Sequence, residues 1–188
     1  EAPQQTQKPE PIPDSKQPLS LKVAQAFYLK GDYGQALGEY EKLYKNLPAS
    51  PKEDLMGDFL QLQMALCMER TADYNQANFL LGKILNSNSP VVKVAAYYHC
   101  SLLEMQKKQY LSARTKAYQA IALIDAIDFD KDWSRSIKQD CYFLAAEAIT
   151  REVLSLCDAD KDLPKDLWGN FGAADELFTN LEETKLRT

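Results

Sequence analysis

Apolar positions recur along most of this chain at helical spacing. In the stretch GDYGQALGEYEKLYKNLP, residues 31–48, apolar side chains fall at 33, 36, 37, 40, 43, 44 and 47. Steps of three and four residues place them on one face of an α-helix. The same register returns in ADYNQANFLLGKILNSNSP, residues 72–90, and in KQYLSARTKAYQAIALI, residues 108–124. Each stretch pairs a tyrosine with an alanine three residues on: Tyr33 with Ala36, Tyr74 with Ala77, Tyr110 with Ala113. Four residues after each alanine comes Tyr40, Leu81 or Ala117, and three further on Leu43, Ile84 or Ala120. Another amphipathic stretch precedes each, over residues 19–30, 52–69 and 90–107. The pattern predicts successive helical hairpins. No alternating run long enough for a strand interrupts them, so the fold class is all-α.

Local signals punctuate the helices. Gly31 ends the first one, where a positive φ costs glycine little, and Asp32 is placed to cap the next. Ser50-Pro51-x-Glu53 and Ser89-Pro90 put a cap and an early proline at helix starts. The small residues Ala24, Ala36, Ala65, Ala77 and Ala113 let helix axes approach closely. A long fourth segment, 131–156, carries Trp133, Ile137, Cys141, Leu144 and Ala148 at three- to four-residue spacing. It opens a further hairpin whose second helix is missing or displaced. DADKDLPKDLWGNF then reads as a loop and AADELFTNLEETKL as a short terminal helix. Leu167, Trp168, Phe171, Leu177 and Phe178 suit a cap over the open end of a helical stack, which needs an atypical last element.

These spacings resemble the tetratricopeptide repeat, a unit of about 34 residues built from two paired helices. The resemblance covers residues 19–125. It rests on Ala24, Phe27, Gly31, Tyr33, Ala36, Tyr40 and Pro48 in the first repeat. The second carries Ala65, Met68, Ala72, Tyr74, Ala77, Leu81, Ile84 and Pro90, and the third Ser101, Glu104, Tyr110, Ala113, Ala117 and Ala120. Three departures stand out: the family's early tryptophan is absent, the helix before Cys67 is long, and Gly38 sits in mid-helix. The resemblance implies a right-handed α-α superhelix with C-terminal capping helices. It also implies a concave groove, lined by the first helix of each pair, where protein segments bind. Its groove positions fall on Leu21, Gln25 and Tyr28, then on Phe59, Leu62, Leu66 and Glu69, then on Tyr98, Leu102 and Met105. Family members that clamp a C-terminal carboxylate hold Lys, Asn or Arg at several of these places. Here they are largely apolar. Such a groove either takes an apolar or helical segment of a partner or is filled from within by the chain's own last helices.

Composition narrows the function. Net charge is −5, the pI is about 5.0, and no basic stripe of the kind nucleic-acid binders carry is present. From Cys157 to Thr188 eight Asp/Glu face four Lys/Arg. No apolar run approaches the ~20 residues of a membrane helix. Residues 1–18 hold five prolines among glutamines and almost nothing apolar. Such a stretch buries too little to offset its ordering entropy and reads as a disordered tether. Residues 19–156 form the helical array, and 157–188 an acidic loop and terminal helix. A Pro/Gln-rich spacer and a chain that starts at Glu1 point to a periplasmic or membrane-tethered domain, released from an upstream segment. An interdomain linker is the plainer reading.

Catalytic signals are sparse. The four cysteines, Cys67, Cys100, Cys141 and Cys157, form no CxxC and read as small apolar core residues. A bridge from Cys100 to Cys141 stays open, and unbridged thiols would weigh against an oxidising compartment. His99 is the sole histidine. Its neighbour Cys100 points about 100° away on the same helix, so the two make no nucleophile pair and His99 reads as structural. The runs Asp128-Phe-Asp130-Lys-Asp132 and Asp158-Ala-Asp160-Lys-Asp162 begin like calcium loops. Such loops need Gly at the sixth place and Glu at the twelfth. Trp133 and Leu163 hold the sixth place, Gln139 and Gly169 the twelfth. No phosphate loop, nucleophile elbow or zinc-helix motif appears, and no cofactor or metal is expected. The sequence points to a non-enzymatic interaction scaffold for a protein or peptide partner, in an envelope or secretion assembly. The second reading is a chaperone for apolar segments of secreted proteins. An enzyme or calcium-binding domain comes last.

Overall fold

A computed structural model describes residues 21–47, 55–127 and 131–157. All seven elements there are helices: α1 (Leu21–Lys30), α2 (Tyr33–Lys45), α3 (Leu55–Arg70), α4 (Tyr74–Ile84), α5 (Pro90–Gln106), α6 (Tyr110–Asp125) and α7 (Lys131–Cys157). Each packs on the helix before it and the helix after it. Within the odd-numbered layer α3 also touches α5, and α5 touches α7. The result is three stacked hairpins, α1–α2, α3–α4 and α5–α6, with α7 added as the first helix of a fourth. The tether at 1–18, the caps at Ser50 and Glu53, and the terminal segment 158–188 lie outside the described residues.

One backbone device ends α1, α3 and α5 alike. Gly31, Ala72 and Lys108 have φ of 86°, 62° and 59°. Around Gly31, its own N–H donates to Tyr28 O at 3.1 Å and Asp32 N–H to Phe27 O at 3.0 Å. The matching bonds run from Ala72 to Glu69 and Asp73 to Met68, and from Lys108 to Met105 and Gln109 to Glu104. This paired six-to-one and five-to-two pattern satisfies the last carbonyls of each helix and turns the chain back in two residues. Asp73 Oδ1 then accepts from Gln76 N–H at 3.3 Å, and Ser89 Oγ accepts from Val92 N–H at 3.5 Å with Pro90 in the first turn. Asp32 holds its expected cap position, but its carboxylate makes no cap bond.

The small residues mark the axis of the stack. Ala24, Ala65 and Ser101 sit at equivalent places on α1, α3 and α5, facing Ala36, Ala77 and Ala113 on the paired helices, and all six are fully buried. Ser101 keeps its hydroxyl there by donating to Ala113 O at 2.6 Å, since a buried hydroxyl without a partner is costly. One turn on, Tyr40, Leu81 and Ala117 are also fully buried. Tyr44 reaches the next hairpin differently: its hydroxyl accepts from Gln61 Nε2 at 2.6 Å. The core runs as overlapping clusters. Leu60 and Cys67 of α3 join Ala24 of α1 and the α2 residues Ala36 and Tyr40. Ala65, Leu81, Ile84, Ala96 and Leu103 join α3 to α5. Val94, Ala120, Ile121, Ile124, Cys141, Ala145 and Ile149 join α5 to α7. Shared clusters of this kind make a solenoid cohere through nearest neighbours alone.

Candidate functional site

The inner layer, made of α1, α3, α5 and α7, is where the sequence places a groove. Its ten expected residues divide sharply. Leu62 is 7% exposed and belongs to the core of α3, α4 and α5. Met105, also 7% exposed, lies under α7 with Leu144 and Ala148. Neither side chain offers a surface to a partner. Leu66 packs partly buried on the core around Leu62. Leu21, Tyr28 and Phe59 pack on the core around Tyr40. Tyr98 and Leu102 pack against the Met105 cluster. Gln25 is exposed, and Glu69 is half-buried. Leu62 and Met105 are thus corrected from groove to core, and in the third repeat α7 covers the place from within, the second of the two alternatives the sequence left open; the other apolar members pack on the core but stay partly exposed.

What remains on the inner layer is a ledge of aromatic, amide and ionisable groups. The Tyr28 and Tyr33 rings meet edge to face at 5.3 Å. Arg70 on α3 hydrogen-bonds Tyr28 on α1, which raises the guanidinium pKa further. Glu69 Oε2 lies 2.8 Å from His99 Nδ1 on α5, tying the second hairpin to the third. His99 meets the Tyr98 ring edge-on at 5.2 Å. Tyr98 has a raised phenol pKa, first through burial and then through the nearby charge of Asp140 on α7, with smaller contributions from Cys141 and Glu69. Burial also raises the Asp140 carboxyl. The ledge thus runs across all four inner helices as Gln25, Tyr28, Arg70, Glu69, His99, Tyr98 and Asp140.

Sequence reasoning missed Arg70, Asp140 and the partner of His99. Repeat alignment gives only equivalent positions, not contacts between neighbouring helices. Tyr28 and Glu69 occupy matching places at the ends of α1 and α3.

The thiols also depart from expectation in one place. Cys67, Cys100 and Cys141 are buried and Cys157 is exposed, and all four are free. Burial pushes the pKa of Cys67 and Cys100 up to about 11 and that of Cys141 up to about 12. Cys157 ends α7 and is exposed, so it is not the core residue its type suggests. Among the described residues no group of three or more His, Cys, Asp or Glu is arranged to hold a metal. Both acidic runs include residues outside the description. Asp132, at the start of α7, lies 3.8 Å from Arg135. No described helix is long and apolar enough to cross a membrane.

No protein-family model matches the chain, and no curated protein does. Solved structures do. The chain is similar to the TPR-like repeats of a kinesin light chain from Podosopora anserina, with a TM-score of 0.51 and 13% identity over 88% of this chain and 93% of that one. A Q17M form of the same repeats gives a TM-score of 0.51 and 14% identity, over 88% and 92%. A double mutant of MamA RS-1 aligns at a TM-score of 0.46 and 19% identity, over 88% and 92%. The first two establish the fold as TPR-like.

Proposed function

We propose that this chain is a non-enzymatic scaffold that binds a protein segment along the inner ledge. The ledge itself carries the proposal. Gln25, Tyr28, Glu69, Tyr98 and His99 retain accessible surface, while Leu62 and Met105 are buried and Leu21, Phe59, Leu66 and Leu102 stay partly exposed beside the polar groups. Tyrosine and histidine rings with amide and carboxylate groups beside them suit an extended or helical segment that offers both apolar contact and hydrogen bonds. The partner is a protein or peptide, and the polar character favours a scaffold over a chaperone for purely apolar segments. Residues 1–18 support a tethered setting, since a Pro/Gln-rich spacer holds a folded domain away from its attachment. The same composition supports placing it in a bacterial envelope assembly.

A photo-crosslinking residue at Gln25, compared with one at exposed Lys83, tests the reading in cells. We expect a discrete crosslinked partner at position 25 that is absent at 83 and lost in a Tyr28→Ala, Tyr98→Ala chain of unchanged helicity. Equal crosslinking at both positions, or capture that survives the double substitution, overturns it.

A further inference from the structure

The core pattern of α5 returns on α7 in one register. Ala96, Ser101 and Leu103 align with Cys141, Ala146 and Ala148, and all six are buried. That register carries the inner-layer positions forward. Tyr98 falls on Phe143 and Leu102 on Glu147, and Asp140 precedes Phe143 by about one turn on the same face. On α5 this face is covered in part, because Tyr98 and Leu102 pack with Leu144 and Ala148 of α7. On α7 it is open: Phe143 is 53% exposed, and Asp140 is exposed beside it.

Charge on this face is not balanced within the chain. Arg135, Lys138 and Arg151 of α7 lie beside Asp132, Asp125 and Glu147, so none of them is paired with Asp140. Burial raises the Asp140 carboxyl, and no cation offsets the rise. The Tyr98 phenol, raised first by burial and then by Asp140, with Cys141 and Glu69 behind, has both carboxylates near one ring. We infer that the protein segment held on the inner layer is basic, and that one of its lysine or arginine side chains seats at Asp140 beside the Tyr98 and Phe143 rings. This rests on the scaffold reading above and adds the partner's charge. Charge complementarity decides the occupant. An acidic segment would meet Asp140, Glu147 and Glu69 in a chain that already carries −5. A purely apolar one would strip water from Asp140 and return no partner, which is costly. A cation satisfies the carboxylate and is attracted by the ring faces as well.

The test uses the full chain as bait for a phage-displayed library of randomised short peptides. We expect the selected peptides to be enriched in lysine and arginine. Asp140→Asn with Glu147→Gln removes two charges from the face, and Glu41→Gln with Asp132→Asn removes two from outside it. One selected peptide, made synthetically and followed by fluorescence anisotropy, should bind the first variant at least about tenfold more weakly than the parent. It should bind the second within about twofold of the parent. Phe143→Ala should weaken it too, with far-UV circular dichroism unchanged in every variant. Selected peptides without basic enrichment, whose binding is lost in the Tyr28→Ala, Tyr98→Ala chain, overturn this inference and leave the scaffold reading standing. A library that yields no binder overturns both. Equal weakening by the two pairs of substitutions also overturns the inference, because it marks attraction to net charge alone. So does binding that the first pair leaves unchanged.

Discussion

Met105 of α5 and Leu144 of α7 meet in one buried cluster with Ala113 and Ala148. The contact converts a position of the expected groove into core, and it binds the last described helix to the third hairpin. Removing either side chain leaves a cavity that the two alanines are too small to fill. Met105→Ala and Leu144→Ala should each cost about 2–4 kcal/mol, read as a lower urea midpoint. Because the two groups are in contact, the double substitution should cost measurably less than the sum. Strict additivity would show that α7 does not pack there.

Thiol chemistry separates the cysteines. With thiol pKa values of about 11 to 12, the buried three hold about one thiolate in a thousand or fewer at pH 8 and are shielded from reagent. Cys157 is exposed. In native buffer a chromogenic disulfide reagent should titrate one thiol quickly, and Cys157→Ser should abolish that phase. In denaturant all four should react. Fewer than four in denaturant without reductant would reveal a disulfide.

The three hairpin turns offer a controlled comparison. Ala72 and Lys108 hold the left-handed backbone that Gly31 holds without strain. Ala72→Gly should stabilise by about 0.5–1 kcal/mol, because relief of the Cβ clash exceeds the added chain entropy. Gly31→Ala should destabilise by about 1 kcal/mol. Gly38 and Gly82 sit inside helices, where an added Cβ meets nothing within 4 Å. Gly38→Ala and Gly82→Ala should each stabilise by about 1 kcal/mol. Thermal melts of the four variants check the signs, and the same sign for Gly31→Ala and Gly38→Ala would refute the turn assignment.

Much of this architecture was legible in the sequence because it depends on local and repeated constraints. Fully buried Ala24, Ala65 and Ser101 were visible as the only small residues at one repeat position. α5 begins at the expected Pro90, and α7 at the expected Lys131. The ledge was less legible, for a physical reason. A repeat position tells which way a side chain leaves its helix, not what covers it. Leu62 and Met105 leave in the expected direction and meet neighbouring helices. Glu69 and His99 are 30 residues apart, and nothing in one helix announces a partner in the next. Cys157 is exposed at the last position of α7, and residue type does not encode what covers a helix end.

Tyr40 shows that a fully buried aromatic carries a cost the packing absorbs. Its ring is at the centre of the first core cluster, yet its hydroxyl has no hydrogen-bond partner among the described residues. Burial, then the nearby Cys67 and Tyr28, push its pKa from 10.0 up to about 12. The sign of the pH effect follows. Above pH 10 the unfolded chain loses this proton while the folded chain keeps it, so unfolding is favoured increasingly as pH rises. A two-unit difference is worth about 2.3 kcal/mol by pH 12 and approaches about 2.7 kcal/mol above it, and Tyr98, raised in the same direction, adds to the fall. Tyr40→Phe removes both the orphan hydroxyl and the titration. It should be neutral or stabilising by up to about 1 kcal/mol at pH 7, and it should flatten the loss between pH 10 and 12 relative to the parent chain. Urea midpoints measured across that range decide the matter: a destabilised Tyr40→Phe with an unchanged alkaline slope would mean that the hydroxyl is hydrogen-bonded after all.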